Sequence, residues 1–384
     1  MVGYLAPHQW LCLCLDHEET PNFTSDVAMK DTFFRGLKIW CTAALNFYFK
    51  QWQINNAKAV DIKGPVIFVP THQNAFLDAI LVICSQRRNP WSIARASVFK
   101  KGFVTTLLTA VKIKPVFRMR DGFSTLKNND AIIQEWLDML ARGEDIIIFA
   151  EGNHNDPYTR GELQKGFARM ALRFQHQYEN IPLYIIPVGI HYEEHHSFRS
   201  RTLVNFGEPI AVNSIDHSNM NEREKLERIV EVTEQALVSL TVNIEGDDYE
   251  QKFKFLLKNR EYHTDLLQQI ESDQAIVNQY PTPSSNAAKA KKPHWLRLLN
   301  PLVWLGALLN ALPYWFIKRF IRKKVKDPQF IGSLRYALGT FLVPVYYLIL
   351  LLVCYLVTGS LPATLIAALI LPVSAIIAAD SLKR

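Results

Sequence analysis

Two long apolar segments near the carboxyl end constrain this 384-residue chain more than any other feature. Residues 337–357 and 361–379 contain no charged side chain. Each segment is long enough to cross the hydrocarbon core of a bilayer, which takes about 20 apolar residues. Because only the three residues TGS separate them, we predict a transmembrane hairpin.

The flanks of this hairpin are basic. The cluster KRFIRKKVK at 318–326 precedes it, and a Lys-Arg pair ends the chain. The positive-inside rule therefore predicts that both ends of the hairpin face the cytoplasm. Upstream, the apolar residues 302–317 are interrupted by Asn310 and Pro313, so we predict an interfacial or short membrane segment there. Together these features define a membrane region over 296–384.

A different pattern occupies residues 56–215, where short apolar runs alternate with helical patterns. The runs are β-branched and bounded by Gly, Pro, Asp or Asn, which is typical of buried strands. This alternation predicts an α/β domain with a largely parallel central sheet flanked by helices. The predicted strands are 65–70, 91–96, 112–117, 145–150, 183–190 and 202–207, and the predicted helices are 76–86, 98–110, 126–142 and 161–178.

The remaining segments are simpler. Residues 1–28 show no periodic pattern and are left unassigned. Residues 29–55 predict an amphipathic helix whose aromatic and basic side chains fit a bilayer interface and fit packing on the domain equally well. Residues 216–279 predict an accessory pair of charged helices, and 280–295, rich in Pro, Ser, Ala and Lys, predict a linker.

The net charge limits the classes of partner that the chain could bind, but it does not identify one. The net charge of +7 suits nucleic acid, a lipid surface or a phosphorylated substrate. Nucleic acid is disfavoured because the basic residues mostly flank apolar segments and no binding motif occurs. The five cysteines contain no CxxC pair, so neither a disulfide framework nor a zinc ribbon is predicted, and we expect a reducing compartment.

The first candidate site is THQNAFLDA at 71–79, directly after the first predicted strand. Histidine is suited to removing a proton near neutral pH, and a carboxylate can fix its tautomer. His72 and Asp78 are six residues apart, which on one regular helix separates them by roughly 240°. They can meet only if His72 lies in the loop and Asp78 in the first turns of the next helix. A capping turn with a solvated Asp78 is the alternative.

Two further polar clusters follow other predicted strands. Glu151 and Gly152 come after residues 146–150, and a glycine lets the backbone approach a ligand closely. Arg118 and Arg120 come after residues 112–117, and two arginines at a strand end can form a fork for phosphate. The carboxyl ends of parallel strands form the ligand crevice of an open α/β sheet. We therefore expect the three clusters to form one site.

These motifs together resemble the glycerolipid acyltransferases, which include lysophosphatidic acid and glycerol-3-phosphate acyltransferases. THQNAFLD looks like the family's His–Asp block, FRMR its phosphate-binding block, FAEGNH its FPEG-type block and IPVGI its proline-containing block. The segment LQKGFARMAL (163–172) resembles the family's basic helix. The five residues between His72 and Asp78, where four are usual, resemble the fungal-type glycerol-3-phosphate/dihydroxyacetone-phosphate branch. Ala150 stands where the family has Pro, and the usual Gly of the second block is missing.

The resemblance implies a reaction. His72, held by Asp78, would deprotonate a hydroxyl of a glycerol phosphate, which then attacks an acyl thioester. Arg118 and Arg120 would bind the phosphate, Glu151 and Gly152 the glycerol part, and Pro187 would lie near the acyl site. The donor would be acyl-CoA or acyl carrier protein and the acceptor glycerol-3-phosphate, lysophosphatidic acid or another lysophospholipid, with no cofactor or metal. The catalytic domain would work on the cytoplasmic face of a membrane.

Two other readings stay open from the residues alone. HYEEH at 191–195 fits a zinc-protease pattern, HxxEH, which needs a helix so that both histidines share a face. This segment follows a predicted strand, so zinc is disfavoured. A non-catalytic protein that binds anionic membrane lipids explains the charge and the hairpin. It does not explain the polar clusters at three strand ends.

Overall fold

The computed structural model describes most of the chain. The described residues are 25–95, 109, 111–116, 126–152, 158–215, 220–281 and 300–382. The predicted helix at 98–110 and the predicted linker at 280–295 lie almost entirely outside these residues, and so does nearly all of the unassigned segment 1–28.

The described strands form one sheet of eight strands in the order β1-β7-β6-β2-β5-β3-β4, with β8 paired to β6. Five of the seven strand pairings are parallel, and the two antiparallel ones join β6 to β7 and to β8. The predicted, largely parallel sheet is therefore confirmed. The strands are β1 (Gln51–Asn55), β2 (Val66–Pro70), β3 (Trp91–Arg95), β4 (Ile113–Val116), β5 (Ile146–Ile147), β6 (Tyr184–Tyr192), β7 (Arg201–Phe206) and β8 (Ile210–Ala211).

Burial explains why β2 lies near the middle of the sheet. All five of its residues are buried, as expected for an apolar run covered by helices on both faces. Its alternate side chains enter two different cores: Phe68 faces helices α1 and α2, whereas Ile67 and Val69 face helices α3 to α5. These helices are α1 (Ser25–Tyr48), α2 (Ala75–Cys84), α3 (Leu126–Ala141), α4 (Gly166–Gln177) and α5 (Glu222–Val238).

The structure corrects the amino-terminal helix predicted over 29–55. Helix α1 ends at Tyr48, and the chain then enters β1 at the edge of the sheet. Lys38, one of the basic side chains in the predicted helix, is buried, and its Nζ donates to the carbonyl oxygens of Gln86 (2.9 Å) and Arg88 (3.0 Å). One face of α1 thus packs on the domain. An interfacial role for the other face stays a prediction.

The accessory region also differs from its prediction. Within residues 220–279 the structure describes three helices instead of the predicted two. The last two of them are separated by a break at 260–265. At this break Arg260 turns inward and forms a buried ion pair with Asp273. The two additional helices are α6 (Tyr249–Asn259) and α7 (Leu266–Asn278).

The carboxyl-terminal region is helical throughout its described part. Its helices are α8 (Pro301–Leu309), α9 (Ala311–Lys324), α10 (Phe330–Thr358) and α11 (Leu361–Leu382). The last two are long and apolar enough to cross a membrane. In the most apolar stretch of each helix, only 6% and 17% of the residues are buried in the protein. Such exposed apolar helices fit a lipid environment. The predicted break at Asn310 separates α8 from α9, and nine residues of α8 at 1.5 Å each are too short to span a bilayer.

Both ends of the α10–α11 hairpin lie against the α/β domain. At the start of α10, Ser333 is fully buried against the loop that precedes α2. At the end of α11, Asp380 accepts hydrogen bonds from both Nε (3.1 Å) and Nη2 (3.2 Å) of Arg199. The hairpin therefore leaves and returns to the same side of the domain, whereas the cytoplasmic position of its ends stays a prediction.

Candidate active site

The topology brings two of the three predicted clusters to one edge of the sheet. Strands β2 and β5 are neighbours and run parallel. His72 follows β2 and Glu151 follows β5, so both lie at carboxyl ends of adjacent strands. Arg118 and Arg120 lie outside the described residues, although the strand before them, β4, is part of the same parallel set.

His72 and Asp78 meet as predicted for a strand–loop–helix junction. Helix α2 begins at Ala75, which puts His72 in the loop and Asp78 in the first turn of the helix. The Nδ1 of His72 lies 2.9 Å from Oδ2 of Asp78. Because the carboxylate accepts, Nδ1 carries the proton in the neutral ring, and Nε2 is the basic nitrogen.

Asp78 is completely buried and has four hydrogen-bond donors. Besides His72, its Oδ2 accepts from the backbone N of Gln73 (2.9 Å) and Asn74 (2.8 Å), and its Oδ1 accepts from the Tyr192 hydroxyl (2.7 Å). Burial, reinforced by the Asp78 carboxylate, raises the pKa of Tyr192 well above its ordinary value, so the hydroxyl stays a donor. Such a set of donors stabilises the charged carboxylate in a buried position.

The segment after β5 contacts His72 directly. The ring of Phe149 stacks on the imidazole of His72, with the centroids 4.0 Å apart. A tight turn follows, in which the N–H of Gly152 donates to the carbonyl oxygen of Phe149 (3.2 Å). Gly152 has φ +71°, a left-handed conformation that favours glycine. Glu151, inside this turn, is buried. The predicted Glu–Gly cluster therefore lies in the turn that directly follows the ring stacked on His72.

The loop that carries His72 is held from a distant part of the chain. His195 Nε2 donates to Oε1 of Gln73 (2.7 Å), and its carbonyl oxygen accepts from Nδ2 of Asn74 (2.8 Å). Burial lowers the pKa of His195 to about 3, so its ring is neutral. Ala75 has φ +45°, and a non-glycine residue in such a conformation costs of order 1–3 kcal/mol and persists only where its surroundings hold it. The loop is therefore strained and multiply anchored.

Pro187 lies within the sheet. It is on β6 in register with Val69 of β2, three residues before His72. Its carbonyl oxygen accepts from the N–H of Gly207 (2.8 Å), and its ring lies close to the space that a side chain at Gly207 would occupy. These are the contacts of a residue that packs between strands. The contact with an acyl chain that the resemblance implies stays a prediction.

The HYEEH segment does not form the helix that a zinc site of that pattern requires. His191 is on β6, which ends at Tyr192, and His195 lies in the following turn. Both imidazole rings contact the ring of Tyr158, at centroid distances of 5.3 and 5.5 Å. Within the part of the chain that the structure describes, no group of three or more potential ligand side chains is arranged around a common point.

Sequence reasoning missed the long-range members of this site. The residues missed are Tyr192 and Phe149, which contact the His72–Asp78 pair, and Ser333, which contacts its loop. Each is 77 or more residues from His72 and belongs to a different part of the fold. Phe149 and Tyr192 stood inside motifs already noted, FAEGNH and HYEEH. The pairing of β2 with both β5 and β6 is the signal that identifies them. Nothing in the sequence indicates Ser333.

Comparison with known proteins agrees with this geometry. Residues 51–191 match the Acyltransferase family model, a stretch that contains His72, Asp78 and the turn after β5. Glycerol-3-phosphate O-acyltransferase 1 of Saccharomyces cerevisiae is 28% identical over 150 residues, 38% of this chain and 18% of that protein. Glycerol-3-phosphate O-acyltransferase 2 of the same yeast is 29% identical over 126 residues, 32% of this chain and 17% of that protein.

Two further proteins are similar. An uncharacterized acyltransferase of Schizosaccharomyces pombe is 32% identical over 114 residues, 29% of this chain and 17% of that protein. Among solved structures, the 1-acyl-sn-glycerophosphate (LPA) acyltransferase PlsC of Thermotoga maritima has a TM-score of 0.40 and 14% identity, covering 61% of this chain and 88% of that one.

Residues 51–191 therefore match an acyltransferase domain, and this match covers less than half of the chain. The resemblance to glycerolipid acyltransferases of the glycerol-3-phosphate type is confirmed by the two yeast relatives. The matched region spans less than a fifth of the length of these relatives.

Proposed function

We propose that this protein transfers a fatty acyl group from an acyl thioester to a hydroxyl of a glycerol phosphate, with His72 as general base. The observation that carries the proposal is the 2.9 Å contact between His72 Nδ1 and the buried Asp78 carboxylate. It directs the basic Nε2 away from Asp78, and it stabilises the imidazolium that forms when His72 takes a proton.

The steps follow from this arrangement. Nε2 of His72 takes the proton of the acceptor hydroxyl while that oxygen bonds to the thioester carbonyl carbon. When the resulting tetrahedral intermediate collapses, the carbon–sulfur bond breaks and the imidazolium returns its proton to the leaving thiolate. The products are an ester and a free thiol. No acyl-enzyme is needed, and no GxSxG motif occurs in the sequence.

Binding roles are part of the same proposal. Arg118 and Arg120 bind the acceptor's phosphate, which suits a bidentate guanidinium. Glu151 and Gly152, in the turn beside His72, bind its glycerol part, and Pro187 lies near the acyl chain. The donor is acyl-CoA or acyl carrier protein, and the acceptor is glycerol-3-phosphate or lysophosphatidic acid. The reaction uses no cofactor. The domain works at the cytoplasmic face of a membrane, among its lipids.

The test uses the full-length chain in nanodiscs with one long-chain acyl-CoA. The acceptors are glycerol-3-phosphate, dihydroxyacetone phosphate, lysophosphatidic acid and lysophosphatidylcholine, and ester products are identified by mass. We expect His72→Ala to lower kcat by roughly 10²–10⁴-fold, the usual contribution of a general base. His176→Ala, which removes an exposed imidazole on α4, is the matched control and should retain full activity.

Two outcomes would contradict the proposal. Full transfer by His72→Ala would remove His72 from the mechanism. Absence of an ester product with every acceptor, in wild-type protein that still binds lipid, would instead support a non-catalytic lipid-binding protein. A product formed only from lysophosphatidylcholine would reassign the acceptor to a lysophospholipid without the terminal phosphate.

A further inference from the structure

The first turn of the membrane helix α10 lies directly on the loop that holds His72 and Asp78. Ser333 is fully buried there. Its hydroxyl donates to the carbonyl oxygen of Asn74 and accepts from the backbone N–H of Leu77 at 3.0 Å. One side chain from the membrane hairpin thus bridges both ends of the first turn of α2.

Only one residue, Asn74, separates this bridge from the catalytic pair. The N–H of Asn74 donates to Oδ2 of Asp78, the same oxygen that contacts His72, and Leu77 is the residue before Asp78. The carbonyl group that Ser333 binds and the N–H that donates to Asp78 belong to the two peptide groups on either side of the Asn74 Cα. A shift of the carbonyl group is therefore transmitted through this Cα to the donor that orients the carboxylate. Between these groups lies Ala75 with φ +45°, a conformation that neighbouring contacts must maintain.

Gly332 permits this close approach. A Cβ at this position would lie 2.4 Å from Oδ1 of Asn74 and 2.6 Å from the carbonyl oxygen of His195. Both distances are shorter than real contacts, so only glycine lets the backbone of α10 reach the loop. Three residues after Gly332, Arg335 donates to the carbonyl oxygen of His196 and secures the same turn.

We propose that Ser333 is a positioning residue for acyl transfer, and that the membrane hairpin thereby completes the active centre. The hydroxyl holds the Asn74 carbonyl group, and through the Asn74 Cα also the N–H that donates to Asp78, so that Asp78 and His72 keep their contact. The effect on rate rests on the proposed function, whereas the effect on the His72–Asp78 contact does not. A role in docking the helix alone would change stability and leave both readouts at their wild-type values.

The experiment compares three full-length variants in nanodiscs. Ser333→Ala removes the bridge. Gly332→Ala displaces the turn while keeping the hydroxyl. Ser374→Ala is the control, because Ser374 is also buried in the hairpin but donates to Leu371 within α11. The readouts are kcat and KM with acyl-CoA, and the NMR resonance of the His72 Nδ1–H, which is assigned by its loss in His72→Gln.

We expect Ser333→Ala and Gly332→Ala to lower kcat by about 10- to 100-fold while KM for acyl-CoA changes by less than about 2-fold, since misplacement of a reacting group affects the chemical step. The His72 Nδ1–H resonance should shift or broaden in both variants. Ser374→Ala should match wild type in kcat and in the resonance.

The inference is overturned if Ser333→Ala retains the wild-type resonance, or if its kcat falls no further than that of Ser374→Ala. If the wild-type protein forms no ester at all, the proposed function fails. The resonance comparison then still decides the positioning role, because it requires no turnover.

Discussion

At the scale of single residues, burial and hydrogen bonding give two aspartates opposite roles. Asp78 is surrounded by donors at the carboxyl end of β2, where it orients His72. Asp145 lies at the opposite end of the sheet, just before β5. Its Oδ1 accepts from Arg88 Nη1 (2.7 Å) and from the N–H of Val66 (3.0 Å). Asp78 therefore orients the histidine of the candidate site, whereas Asp145 links the amino ends of two strands.

Asp145 makes stability depend on pH. Burial, only partly offset by Arg88, raises its pKa from 3.8 to about 6. The folded state therefore binds more protons than the unfolded state between these values, and its stabilisation falls as pH rises through that window. We expect the melting temperature of wild type, relative to Asp145→Asn, to decrease from pH 4 to pH 7. At about 1.4 kcal/mol per pKa unit, the change is at most about 3 kcal/mol.

The matched control for Asp145 is the exposed Asp247. Wild type and Asp247→Asn should differ by a constant amount over the same pH range. Thermal unfolding in detergent at several pH values measures both differences. An Asp145→Asn difference that is constant, or that increases with pH, would show that the carboxyl group is ionised throughout.

The contacts within the site separate what the sequence predicts from what it does not. His72 and Asp78 are six residues apart, so local rules for a strand–loop–helix junction are enough to predict their contact. Tyr192 is 114 positions from Asp78, and Ser333 is 259 positions from Asn74. Such contacts depend on how distant elements pack, and no local pattern carries that information.

At the scale of elements, buried apolar runs were predicted well and edge strands were not. All six predicted strands are present, although the run at 145–150 contributes only the two residues of β5. The missed strand β1, with the sequence QWQIN, is polar and half-buried at the edge of the sheet. The missed strand β8 has two residues. Strands of this kind depend on pairing with a neighbour more than on their own composition.

The last turns of α11 are attached to the domain by a charged pair. Arg199 contacts both carboxylate oxygens of Asp380, and its Nη1 also donates to the carbonyl oxygens of Phe47 and Phe49. Both side chains are mostly buried. We expect Asp380→Ala to destabilise the protein by about 1–3 kcal/mol, because hydrogen bonds to a charged group are lost and the guanidinium is left without its counterion.

A largely exposed pair provides the control for Asp380. Glu250 and Lys254 form an i,i+4 pair on α6, with side chains 67% and 77% exposed. Glu250→Ala should change the melting temperature very little, since exposed pairs contribute little to stability. Equal melting temperatures for Asp380→Ala and Glu250→Ala, measured in the same detergent, would mean that the α11 contact does not stabilise the fold.

At the scale of the whole molecule, helix α10 is longer than a bilayer requires. Its 29 residues span about 43 Å at 1.5 Å each, whereas the hydrocarbon core is about 30 Å thick. The uncharged segment begins at residue 337, so the turns that carry Ser333 and Arg335 precede it. These turns pack on the loop of His72 and Asp78. The candidate active site is therefore expected at the membrane surface, where an acyl chain can stay in lipid while the acceptor's polar part reaches His72.

This arrangement makes a prediction about topology. Both ends of the hairpin contact the catalytic domain, so the turn between α10 and α11 should lie across the membrane from it. Thr358 is exposed at the end of α10, and Ser239 is exposed at the end of α5. Each is replaced by cysteine in a background in which the five native cysteines are serine or alanine. Sealed vesicles with the catalytic domain outside are then treated with a membrane-impermeant maleimide.

We expect Ser239→Cys to react at once and Thr358→Cys to react only after the vesicles are permeabilised, because the apolar segments of α10 and α11 separate the two positions. Equal labelling of both positions in sealed vesicles would mean that the hairpin lies on the membrane surface. In that case the two helices would bury only one face in lipid, although their apolar side chains are exposed on most of their circumference. A hairpin on the membrane surface would leave much of this apolar surface in water. This is the physical reason to expect a hairpin that crosses the bilayer.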